Sequence, residues 1–280
     1  MNSPHQRLSL LIAVALASPA MAQSPEVDLG RVEVTGVRDA SSASPHTVDA
    51  STVKALRPAT SDTASLLRNV PGVSLYGAGG LSSLPSIRGL ADDRIRIKVD
   101  GMDLIAACPN HMNPALSYLD PSNVGRLAVF AGVTPVSVGG DSIAGTIVAE
   151  TPPPRFARPG EGSLLAGEIG AYYRSNGNAF GGNLAATYAT ESFSITYTGA
   201  TAESDNLRAG RDFKTSAVTG RPGHALPLDE IGSSAYESRN HELGIAFTGG
   251  GHLVEAKVGY QDIPFELWPN QRMDMLDNEQ

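Results

Sequence analysis

One stretch of this sequence gathers side chains able to do chemistry: Cys108-Pro109-Asn110-His111-Met112-Asn113-Pro114. Thiolate and thioether are soft donors that suit Cu(I), and imidazole suits Cu(I) or Cu(II). A helical turn opened by Pro109 and closed by Pro114 would put Cys108, His111 and Met112 on one face, by i, i+3 and i+4 spacing. All three donors would then reach one ion. The same residues also suit a packed loop, with Cys108 a small apolar residue and Met112 a gap filler. Cys108 is the only cysteine, so no disulfide within the chain accounts for it. A second sulfur pair, Met273 and Met275, follows in Arg272-Met273-Asp274-Met275. On an extended chain both thioethers point the same way, as further ligands or as packing. No Gly-x-Ser-x-Gly, His-Glu-x-x-His or phosphate loop occurs, and no general base is placed beside Cys108. The chain does not read as an enzyme and implies no catalytic cofactor.

The elements that hold these residues begin with an export signal. A polar start ending in Arg7 leads into the apolar run Leu8 to Leu16, and Ala20-Met21-Ala22 supplies a small-x-small cleavage pattern. The apolar run is too short to span a bilayer comfortably. Export also places Cys108 in an oxidising compartment, where a lone thiol is exposed to oxidation or cross-linking. The formal charge of −8 is spread along the chain and excludes nucleic acid, whose phosphates need a basic surface. After residue 22 a polar stretch precedes Arg31-Val32-Glu33-Val34-Thr35-Gly36-Val37. This short β-branched run is suited to adding a strand to another protein's sheet edge. Residues 39 to 52 are rich in Ser, Ala and Pro and read as a linker. The resulting order is a signal peptide at 1–22 and a periplasmic segment at 23–52. A mixed α/β domain follows at 53–155.

That domain carries a short helix capped by Asp62 and a glycine/serine loop at 77–83. Its clearest strand is Arg94 to Val99, where Ile95, Ile97 and Val99 alternate with Arg96 and Lys98 and share one face. Further strands are expected at 124–129 and 145–150. The run Thr151-Pro152-Pro153-Pro154 closes the domain as a stiff linker.

Beyond Gly160 the pattern becomes pure period two. Segments 163–174, 180–188, 193–200, 238–248 and 252–261 are apolar on one face and polar on the other. Segments of about ten residues with this alternation are what transmembrane β-barrel strands require, and soluble-sheet strands usually run about 5–6 residues. The turns at 190–192 and 249–251 are tight and the 201–236 connection is long. Barrels with short periplasmic turns and long external loops show this alternation, which places residues after Tyr260 outside. Five or six strands cannot close a barrel, so the fold class is an α+β domain followed by antiparallel transmembrane β-barrel strands of an incomplete barrel.

At these residues the chain resembles the TonB-dependent receptor family. Residues 31–37 look like the segment that engages the coupling protein TonB, which the resemblance assigns to Val32, Glu33, Val34, Thr35 and Val37. Leu67-Arg68-Asn69-Val70-Pro71-Gly72-Val73 looks like the opening of the family's plug domain. Ile87-Arg88-Gly89-Leu90-Ala91-Asp92-Asp93-Arg94-Ile95 with Val99-Asp100-Gly101-Met102 is similar to the plug centre. The turn at 137–145 departs from the Tyr-Gly-rich pattern of many members. The Cys-x-x-x-Met pair, on Cys108 and Met112, is similar to the plug loop of the family's copper importers. The resemblance implies an outer-membrane receptor with its N-terminus in the periplasm, TonB and membrane lipid as partners, and copper as the transported ligand. A siderophore, haem or other metal chelate is the alternative cargo. A non-transporting interaction protein on a truncated barrel is the third reading.

Overall fold

The computed structural model describes residues 44–77, 80–106, 111, 113–218 and 222–266. The first element lies inside the expected linker: β1 (His46–Val48) is followed at once by α1 (Ala50–Leu56). The cause is local. Asp49 accepts a hydrogen bond from the Thr52 N–H at 2.8 Å and caps the helix, a contribution of about 1 kcal/mol. Val53 then buries the helix face in the core. The polar composition around the linker hid one buried residue per element, Val48 within it and Val53 just beyond it, and that is enough to order both. The helix expected after Asp62 is a tighter 3-10 turn over Thr63–Leu67, capped by Asp62 and burying Ala64, Leu66 and Leu67.

The chain continues through β2 (Val73–Tyr76), β3 (Leu84–Ile87), β4 (Leu90–Ala91), β5 (Ile95–Val99), β6 (Met102–Leu104), β7 (Arg126–Ala131) and β8 (Gly145–Glu150). One sheet has the order β1-β7-β8-β5-β6, and β2-β3-β4 form a second, small sheet. β5 and β8 run parallel, with Ile95 opposite Gly145 and Val99 opposite Ala149. The alternation read from the sequence holds here. Ile95 and Val99 are buried, and Ile97 packs against the same core. Ile87, Leu116, Val124, Leu127, Val129 and Ile147 complete its centre. Gly145 has φ +137°, and a Cβ there would run into the Phe130 carbonyl oxygen, so this close β7–β8 approach requires glycine.

The second body is an antiparallel wall: β9 (Leu164–Arg174), β10 (Ala179–Ala189), β11 (Phe193–Ser204), β14 (Tyr236–Gly249) and β15 (His252–Glu266), hydrogen-bonded in that order. The connection between β11 and β14 contains a two-residue ladder of β12 (Leu207–Arg208) and β13 (Glu230–Ile231). The first wall strand starts one residue inside its expected bounds and the other four outrun theirs, with β15 continuing to Glu266 past a register shift between Glu237 and Arg239 of β14. The outer face is apolar: Leu165 and Ile169 are 83% and 84% exposed, joined by Leu184, Leu243 and Val258. Apolar surface of that extent fits lipid rather than water. The inner face carries Glu168, Tyr172, Thr196, Glu242 and Lys257 and meets the first body. Phe193 and Phe247 pack as a tilted pair with ring centroids 5.0 Å apart at one end of the outer face.

Candidate functional site

After β6 the described chain resumes at His111 and Asn113, and Pro114 caps the 3-10 turn Ala115–Tyr118. The Pro114 carbonyl accepts from the Ser117 N–H at 2.9 Å and the Ser117 hydroxyl at 2.8 Å, and Leu116 plugs the turn into the core. Cys108 and Met112 lie outside the described residues, as do Met273, Met275 and the coupling segment 31–37. His111 is described. It adopts φ +54°, and its side chain is 18% exposed with Nε2 3.9 Å from an Asp93 carboxylate oxygen. It faces a cleft of about 360 Å³ floored by Ile95, Ile97 and Leu104 and edged by Asp92, Asp93 and Asp141. Among the described residues no three His, Cys, Asp or Glu side chains are arranged to hold a metal ion.

The rim of that cleft is fixed by Asp103. Its carboxylate accepts from Arg96 Nε and Nη2, at 2.6 and 2.7 Å, and from Lys98 at 3.4 Å. The Arg96 hydrogen bonds, with help from Lys98, pull its pKa down to about 2. Arg96 also donates to the Gly139 carbonyl at 2.8 Å, tying the 135–140 turn to β5 and β6.

How the first body is held to the wall is visible only in the folded structure. Three tiers of contact do it. At the end of the wall carrying the 205–235 connection, the Arg174 guanidinium donates to Ser61 Oγ at 2.8 Å and Tyr236 OH at 2.7 Å, and stacks over Tyr172 at 4.3 Å. Ser82 Oγ donates to the buried Glu266 at 2.8 Å. In the middle tier Lys54 and Arg57 both reach Glu168, at 2.9 and 3.2 Å. Asn240 Nδ2 donates to Asp120 at 3.3 Å, and burial pushes the Asp120 carboxyl above its ordinary pKa. Nearest the 190–192 hairpin, Lys257 Nζ lies 3.0 Å from Asp100 and 2.6 Å from Thr151 Oγ1. Burial alone would raise the Asp100 pKa, but the Thr151 N–H, the Thr151 hydroxyl and Lys257 outweigh it and hold the carboxyl below its usual value. Strand parity does put Lys257 and Glu168 on the polar face, so the signal for an inward residue was present. Their partners, more than a hundred positions away, were not readable.

Residues 38–146 match the family described as TonB-dependent Receptor Plug Domain. No curated protein sequence matches the chain. Among solved structures, the copper transporter OprC is similar over 80% of this chain and 31% of its own, at 26% identity and a TM-score of 0.61. The FrpB iron transporter from Neisseria meningitidis is similar over 79% of this chain and 31% of its own, at 19% identity and a TM-score of 0.61. The hemophore receptor HasR from Serratia marcescens is similar over 83% and 33%, at 14% identity and a TM-score of 0.63. The last two speak to fold. The chain spans about a third of the length of these structures. It carries a TonB-dependent receptor plug domain, followed by antiparallel strands of the kind that build the barrels of those receptors.

Proposed function

We propose that the chain is part of a TonB-dependent outer-membrane importer whose cargo is copper. The observation that carries this reading is the Cys108-x-x-x-Met112 pair in the plug loop, a soft donor set in a chain read as exported. The 26% identity to a protein described as a copper transporter supports it. Residues 1–22 are the export signal, the N-terminus is periplasmic, and Val32 to Val37 add a strand to TonB. Cys108 and Met112 hold the ion and His111 is the third donor, from a position above the acidic cleft. Met273 and Met275 supply thioethers from the wall side. The cargo is held as a ligand in transit, so no chemistry on it is required of the chain.

The alternative cargo is a chelate. Receptors whose descriptions name iron, haem and enterobactin share the fold. Metal analysis of the full-length protein beside its Cys108→Ala and Met112→Ala forms separates the two. Copper should fall most in Cys108→Ala and less in Met112→Ala. His111→Ala should cost least. Binding should favour Cu(I) over Zn(II) and weaken in acid, since the thiol must lose its proton. Equal copper in the unmodified and Cys108→Ala forms would end the copper reading and return Cys108 to packing.

A further inference from the structure

The connection between β11 and β14 is an ordered arm, and copper import makes no use of it. Past the β12–β13 ladder, the Phe213 and Lys214 N–H groups both donate to the Leu228 carbonyl, at 3.2 and 3.3 Å, and the Leu226 N–H donates to the Ala217 carbonyl at 2.8 Å. Val218 then bridges to Ala225. At the root, Arg208 is held by Asp229 and Glu230, at 3.2 and 3.5 Å.

The root is seated on the turn Asn176–Asn178, which joins β9 to β10. Asn176 grips Arg208 as a ladder would: its Nδ2 donates to the Arg208 carbonyl at 3.0 Å, and its Oδ1 accepts from the Arg208 N–H at 2.7 Å. The Asp205 N–H donates to the Gly177 carbonyl at 2.7 Å. Asn178 donates to the Asp205 carboxylate at 3.1 Å and accepts from the Tyr173 hydroxyl at 3.2 Å. Tyr173 pairs with Phe180 across the two strands, and both are exposed. They share the apolar outer face with Leu165, Ile169 and Leu184 by strand parity. Aromatic residues at the end of such a face form the girdle where a barrel's apolar band meets the lipid headgroups. The root of the arm therefore stands at headgroup level.

Farther out the arm mixes apolar and cationic side chains. Phe213 and Val218 are 55% and 76% exposed. Lys214 Nζ lies over the Phe213 ring at 5.7 Å. Neither Lys214 nor the exposed Arg211 has an ion-pair partner among the described residues. The whole chain carries a formal charge of −8, so these free cations are a local feature. An ordered segment that interleaves exposed apolar groups with cations suits a membrane interface: the apolar groups enter the headgroup boundary and the cations meet its anions.

We infer that the arm is a membrane anchor. Arg211 and Lys214 bind the anionic, phosphate-bearing headgroups of the outward leaflet, and Phe213 and Val218 set into the boundary beneath. This rests on the outer-membrane reading above and gives the external connection a lipid partner. Each cation held near an anionic surface favours contact about fivefold, so the two together favour it by roughly twenty-five-fold.

The test uses the full-length protein in lipid nanodiscs, of phosphatidylcholine alone or with phosphatidylglycerol added, and follows hydrogen exchange at the Phe213 and Lys214 amides. Exchange there should be on the order of tenfold slower in the anionic discs, and raised salt should weaken the effect. The double variant Arg211→Glu, Lys214→Glu should lose the difference while the wall-strand amides stay as protected as before. Equal exchange in the two discs overturns the anchor and leaves the outer-membrane reading standing. Slowing by inorganic phosphate in phosphatidylcholine discs, with no response to phosphatidylglycerol, also overturns it, in favour of a soluble anion. Wall strands that insert into neither disc overturn the outer-membrane reading itself.

Discussion

Lys257→Met tests whether the plug is pinned to the wall by the contact nearest the 190–192 hairpin. The substitution keeps the stem and deletes the charge that lies 3.0 Å from Asp100 and 2.6 Å from Thr151 Oγ1. At an effective dielectric of ~20, two charges 3 Å apart attract by roughly 5 kcal/mol before other effects are counted. Most of that is offset. Both side chains are about one-quarter exposed, at 26% and 27%, so the desolvation penalty and solvent screening are both appreciable. Asp100 also keeps two hydrogen bonds from Thr151, at 2.8 and 2.6 Å, and is not left bare. The net cost should fall between that of an exposed pair, up to ~1 kcal/mol, and a broken buried pair, ~3–5 kcal/mol. A value of about 1.5 kcal/mol corresponds to roughly tenfold faster opening. Hydrogen exchange reads this at the Thr151 amide, which donates to Asp100. Asp100→Asn and the double variant complete a cycle whose coupling should be about 1 kcal/mol or more. Additive effects, or an unchanged Thr151 amide in Lys257→Met, would refute the pinning role.

Three further outcomes are expected. Asp103 should titrate near 2 by NMR, so its contribution to stability is complete above its unfolded pKa of ~3.9 and fades as pH falls through its folded value; Arg96→Met should return it toward the ordinary value, and no movement would discard the Arg96 assignment. Gly145→Ala should cost at least ~2 kcal/mol, since it combines a φ of +137° with a collision at Phe130, and a melting temperature within error of the parent would contradict this account of the β7–β8 junction. Deleting residues 31–37 should abolish uptake and leave copper content unchanged, and uptake that survives the deletion would remove the coupling role.

What the sequence disclosed and what it withheld follow from range. Ile95, Ile97 and Val99 were legible because period-two alternation is a local signal, and the wall strands were legible for the same reason. Gly145 to Glu150 was found with its bounds because turn residues flank it. The strand His46–Val48 and the helix after it were missed because each turns on one buried valine in a polar stretch, and local composition outvotes a single residue. The capping role of Asp62 was legible, but the pitch of the turn it starts was not, since packing of Leu66 and Leu67 decides it. In the proposed site, Cys108 and Met112 are singled out by donor type, and their spacing is what suggests a common face. The clasp of Lys257 on Asp100 joins segments that meet only after folding, and no spacing rule connects them.

The plug's main sheet has the order β1-β7-β8-β5-β6, and its edge strand β1 is the one closest to the N-terminus. A pull transmitted along the chain from before Ser44 therefore enters at a ladder of three pairs, His46 with Val129 through Val48 with Leu127. An antiparallel edge strand loaded at one end peels pair by pair and never shares the load across the sheet, so its rupture force is that of one pair at a time. The remaining four strands, with Val129 and Ile147 at their centre, are spared until β1 has gone. Mechanically the plug is a tear strip stitched to a rigid block. Loss of that one strand is what uncovers the β7 edge at Leu127 and Val129.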